Sequence, residues 1–145
     1  MLWFWSALIA AVLWGLSYSL GEYTLKNGMT ASSQMALFSL FMMPVYNLIA
    51  WRNGTLGTGF EALRSNPKVL VSFLVIAACY SVANFLSFYA IQQKNATVAS
   101  LVEITYPLFV ALFAFLLFRE MQLTPGVMLG GGLILAGICV MYATG

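Results

Sequence analysis

Glu103 is the residue whose type and position most clearly invite chemistry, because its carboxyl group lies between Ser100 and Pro107, about a third of the way into a long apolar run. An ionised carboxylate at such a depth costs roughly 2.5–3.5 kcal/mol on insertion scales. Hydrocarbon favours the neutral acid over the ion. A group that gains or loses a proton there can couple movement of a solute to a proton gradient, or hold a cation. It could equally hydrogen-bond a neighbouring helix or reach the interface beside Lys94. Pro107 lacks the amide that would bond the carbonyl of Glu103, so a helix kink is expected beside the carboxylate. Pro44 offers a comparable kink near Tyr46 and Asn47, with less polarity around it.

Polar side chains fall on helical stripes in three runs. Tyr80, Ser81, Asn84, Ser87 and Phe88 follow i, i+3, i+4 spacing; so do Ser100, Glu103, Tyr106 and Pro107, and Trp14, Ser17, Tyr18, Gly21 and Glu22. Three polar, aromatic-rich faces suggest one shared cavity. Its substrate-binding candidates are Trp14, Tyr18, Tyr80, Ser81, Asn84, Ser100, Glu103 and Tyr106, and rings beside a carboxylate suit a cation. Each stripe alone could instead serve interhelical hydrogen bonding, at an average of about 0.6 kcal/mol per contact. Glu22 is a second candidate for proton coupling. If Glu22 and Lys26 are both helical, they form an i,i+4 pair of the favourable polarity.

Enzymatic chemistry finds no support. The sequence has no histidine and no intramembrane Asp, so it offers neither a nucleophile with a base nor a cluster with metal-ligand spacing. No catalytic residue, metal or cofactor is expected. Cys79 and Cys139 sit deep in apolar runs, where a thiol behaves as a small hydrophobe.

The elements that position these residues follow from composition. Only 7% of the residues are charged, against roughly 25% in soluble domains, and 62% are apolar. So few charges cannot cover the surface of a compact domain, so the solvent must be the lipid bilayer. The scattered net charge of +2 forms no basic stripe, which argues against nucleic acid. Five stretches reach the ~20 helical residues that a ~30 Å hydrocarbon core requires. They lie at about 2–25, 31–51, 68–91, 97–118 and 125–143.

The N-terminus lacks a basic n-region and a cleavage pattern, so it reads as a retained first span, with Trp3 and Trp5 in the interfacial aromatic belt. Between Arg52 and Pro67, the glycines Gly54, Gly57 and Gly59 suggest flexible chain, and Ser65-Asn66-Pro67 a helix start. Lys94-Asn95 and residues 119–125 make the tight later links, with Thr124 as N-cap and Pro125 at the first helical position. In the fifth span, Gly126, Gly130 and Gly137 form a small-residue face, Gly126 and Gly130 at GxxxG spacing, for packing within the chain or between two chains.

Arg52, Arg64, Lys68 and Arg119 fall on the N-terminal side, against Lys26 and Lys94 on the other. Four to two favours a cytoplasmic N-terminus, by a margin thin enough for insertion in both orientations.

At these residues the sequence resembles the EamA-type domain of the drug/metabolite transporter superfamily. The resemblance is carried by Trp14-Gly15-Leu16-Ser17-Tyr18, by the run from Ala96 to Phe109, and by Arg119-Glu120, Leu123-Thr124-Pro125 and the run from Gly132 to Gly137. It implies a multi-pass protein of the cell (inner) membrane. Members usually have ten spans, as two five-span repeats of opposite orientation around a central cavity. Five spans then correspond to one repeat, its complement supplied by an inverted second copy or a paralogous half. The implied function is secondary transport by alternating access, with export or exchange of small metabolites such as amino acids, or of amphipathic cations. The alternative is a non-transporting membrane subunit or lipid-flippase component that stabilises a partner protein. Family members often carry a basic residue near the position of Gln34, and Gln34 cannot act as a cation, which argues against anion binding by that helix.

Overall fold

Apolar runs of twenty or more residues have one economical way to satisfy their backbone in lipid, which is to bond it within the segment. In the computed structural model, residues 2–120 and 124–144 are described, and among them there are helices and no strands. They are α1 (Leu2–Lys26), α2 (Ala31–Arg52), α3 (Thr55–Ser65), α4 (Pro67–Gln93), α5 (Ala96–Glu103), α6 (Tyr106–Phe113), a π-helical turn (Ala114–Phe118) and α7 (Pro125–Thr144). Five helical stretches are long and apolar enough to cross a membrane: α1, α2, α4, Ala96–Phe118 and Pro125–Ala143. The chain is an all-α polytopic membrane protein. Of the link between the last two spans, residues 121–123 lie outside the described residues.

Helix ends are set by local chemistry. α1 closes in a Schellman arrangement: the amide of Met29 donates to Thr24 O (3.2 Å) and that of Gly28 to Leu25 O (3.4 Å), with Gly28 at φ 102. α2 opens on a capping box in which Thr30 Oγ1 accepts from the Ser33 amide (3.2 Å) and Ser33 Oγ from the Thr30 amide (3.0 Å). Asn66 Oδ1 accepts from the Lys68 amide (3.0 Å) at the start of α4. Asn95 caps α5 through Val98 (2.8 Å), and Thr124 caps α7 through Val127 (3.3 Å).

The segment between Arg52 and Pro67 departs from the expectation of flexible chain. It is helical as α3. Gly54 stands outside the helix at φ 66, where it turns the chain out of α2. Gly57 and Gly59 lower helix propensity but do not decide the outcome. Leu56, Phe60 and Leu63 recur at i, i+4 and i+7, and the face they form packs through the half-buried Leu56 and Leu63 as α3 contacts α2 and α4.

The chain divides into two compact units, Met1–Gln93 and Lys94–Gly145. Within the first, α4 contacts α1, α2 and α3. Burial gathers where α1 ends, α2 begins and α4 ends, at Gly21, Leu25, Ala31, Gln34, Phe88 and Ile91. Within the second, α6 runs into the π-helical turn, and Leu108 of α6 fills the space beside Gly131 of α7.

Because Gly57 and Gly59 lie in a helix with open space where a Cβ would stand, Gly57→Ala and Gly59→Ala should each stabilise the fold by up to about 1 kcal/mol. Slower amide exchange over α3 in detergent-solubilised protein would record this. Unchanged exchange would mean that α3 is not a stable helix.

Candidate functional site

The first unit builds a site around Phe88, which is 2% exposed on α4. Tyr18 of α1 and Phe38 of α2 present ring edges to it at centroid distances of 5.7 and 5.8 Å, and Trp14 stands edge-on to Tyr18 at 5.6 Å. Such pairs contribute about 0.5–1.5 kcal/mol beyond burial. Gly21 makes room for them: a Cβ there would lie 2.5 Å from Phe88 Cε1 and 3.2 Å from Gln34 Nε2.

Gln34, in the first turn of α2, is 1% exposed. The Thr24 hydroxyl lies 3.1 Å from its Oε1 and 2.8 Å from the carbonyl of Gly21, so a single hydroxyl hydrogen is shared between the carboxamide and the backbone of α1. Beside this knot runs a groove of about 410 Å³, walled by Leu13, Leu16, Leu20 and Phe38 with polar groups from Ser17, Thr24 and Gln34. A neutral amide and two hydroxyls can orient a ligand by hydrogen bonds without attracting an ion of either sign. Gln34, Thr24 and Phe38 were not among the expected site residues. The available signal was a carboxamide one turn into an apolar helix, which must find a partner once buried.

The structure brings Trp14 and Tyr18 into this cluster. From α4 it is Phe88 that joins them, while Tyr80, Ser81 and Asn84 lie further toward the start of the helix. Tyr80 is 61% exposed, Ser81 Oγ donates to Ala77 O (2.8 Å), and Asn84 Nδ2 donates to Tyr80 O (2.8 Å). Glu22 pairs with Lys26 at the end of α1.

In the second unit, Glu103 is the last residue of α5 and is half-buried. Regular α-helix stops there. Thr105 donates from its amide (3.2 Å) and its hydroxyl (2.8 Å) to Val102 O, the Leu108 amide returns to Thr105 O (2.9 Å), and α6 begins at Tyr106 with Pro107 in its first turn. The missing amide of proline makes this the natural point for a break. Ser100 Oγ is turned back to Thr97 O (3.0 Å), and Tyr106 is exposed. A half-buried carboxylate thus sits at a helix interruption. By contrast, the backbone of α2 stays helical through Pro44.

The glycine that receives a neighbour in this unit is Gly131, where a Cβ would lie 2.4 Å from Leu108 Cδ2. Gly130 and Gly137 have nothing within 4 Å of that position, and Gly126 has only the hydroxyl of its own N-cap, Thr124. Within the described residues, the face of Gly126, Gly130 and Gly137 is therefore open.

Five apolar helices long enough to cross a bilayer define a multi-pass membrane protein. The model of the EamA-like transporter family matches residues 1–143, and the chain belongs to that family. Membership makes it a transporter of the drug/metabolite type in general. None of the curated proteins and none of the solved structures compared with the chain matches it.

Gly21→Ala should destabilise the first unit by about 1–3 kcal/mol, since the ring it would strike is buried among neighbouring rings. Gly15→Ala, with open space around it, should be neutral or stabilising by up to about 1 kcal/mol. Thermal unfolding of the two variants in detergent compares them directly, and equal midpoints would refute the close Gly21–Phe88 contact.

Proposed function

We propose that the chain is a secondary transporter of small metabolites, either amino acids or amphipathic and cationic compounds, with Glu103 as its proton or cation site. The observation that carries this reading is the half-buried carboxylate at the end of α5, where helix gives way to a turn before Pro107. A carboxylate among apolar side chains is expensive unless it serves a ligand or a proton. Backbone interruptions at membrane depth are tolerated where water, protein or substrate satisfies the freed groups.

Alternating access in this reading uses two five-helix repeats. The support is the amount of surface that one repeat leaves open: Trp14, Tyr80 and Tyr106 are exposed, and so is the glycine face of α7. A second repeat, from an inverted copy or a paralogous half, would cover such faces and complete a cavity. The four-to-two split of basic residues is compatible with either orientation in the inner membrane.

Reconstituted into proteoliposomes with an imposed pH gradient, the wild type should move a candidate amino acid or quaternary amine. Glu103→Gln should lower gradient-driven flux by about ten-fold or more, a loss of at least about 1.4 kcal/mol in the coupled step. Equal fluxes would end the coupled-carrier reading. Single cysteines at Thr55 and Lys94, in a background lacking Cys79 and Cys139, should each be labelled from both membrane faces if the pair is inverted. Labelling of each from one face only would exclude dual topology.

A further inference from the structure

α3 has eleven residues and a length of about 16 Å, too short to cross a ~30 Å hydrocarbon core. Joined to the end of α2 and the start of α4, it must lie at one end of those spans. Its Leu56, Phe60 and Leu63 share a face, yet Phe60 is 70% exposed. A phenyl ring left bare at the end of a membrane span belongs in the boundary between headgroups and acyl chains.

The charge here is equally specific. Arg52, Arg64 and Lys68, three of the chain's six basic residues, flank or occupy α3, against one acid, Glu61. All three are exposed, and none has an ion-pair partner among the described residues. From Lys68 a groove of about 350 Å³ runs along α4, lined by Leu63, Lys68, Val69, Ser72, Phe73 and Ile76. Lys68 to Ile76 covers about 12 Å of helix rise, most of the depth of one leaflet. The opening of the groove is cationic and its floor is apolar.

We propose that this junction of α3 and α4 binds an anionic phospholipid, with the phosphate on Arg64 and Lys68 and one acyl chain lying along Val69, Phe73 and Ile76. Cationic side chains at the opening complement an anionic headgroup and give a zwitterionic one less reason to stay. The groove supplies what a free phosphate could not use.

Native mass spectrometry of the purified protein in detergent, with equimolar phosphatidylglycerol and phosphatidylcholine, tests the proposal. The wild type should retain phosphatidylglycerol preferentially. Arg64→Gln with Lys68→Gln should lower that preference by about five-fold for each charge removed, and Arg64→Lys with Lys68→Arg should keep it. Lys94→Gln, in the other unit, should leave the preference unchanged, and glycerol phosphate should not displace the bound lipid. Equal retention of the two lipids by the wild type would overturn the proposal. So would an undiminished preference in the double Gln variant, or displacement by glycerol phosphate.

Discussion

The first unit depends on the absence of a side chain at Gly21. In lipid no hydrophobic force draws helices together, so association rests on close van der Waals contact and on hydrogen bonds between them. Gly21 lets the Phe88 ring occupy the space a Cβ would need, and the ring then receives the edges of Tyr18 and Phe38. Gln34 is fastened alongside through Thr24. The Schellman turn at Gly28 makes this geometry possible, because it reverses the chain within a few residues and returns α2 to the end of α1. Packing is consequently concentrated at one end of α1, α2 and α4, while most of each helix keeps an exposed apolar surface.

A different constraint governs the fourth span. Pro107 removes an amide from the helix ladder, and the chain answers with a turn at Ile104–Thr105 and a fresh helix from Tyr106. That interruption puts Glu103 at a helix terminus instead of mid-helix, where a carboxylate has backbone and side-chain polarity close by. Ordered helix runs up to the carboxylate, and irregular backbone follows just after it.

Much of this was legible in the residues themselves. The five spans follow from run length alone, and the helix start at Ser65-Asn66-Pro67 and the cap at Thr124 from short-range chemistry between neighbours. α3 was not legible as a helix, since Gly54, Gly57 and Gly59 read as loop, and only the half-burial of Leu56 and Leu63, with the contacts of α3 to α2 and α4, reveals the stabilised face. The Gly21–Phe88–Gln34 knot was hidden for a similar reason: helical periodicity says which residues share a face, not which faces meet. Gly21 and Phe88 each appeared on a stripe, yet nothing in their spacing says that one is built against the other. The same limit explains why Gly131, and not Gly130, receives the side chain of Leu108.

The role of Glu103 is open to a direct measurement on purified protein. With a pH-sensitive dye in weakly buffered detergent solution, saturating a carrier whose proton and cationic solute compete for Glu103 should release protons into the medium, and Glu103→Gln should release none. Substrate binding with no proton release from the wild type, or with the same release from both proteins, would contradict the assignment of Glu103 as the coupling site.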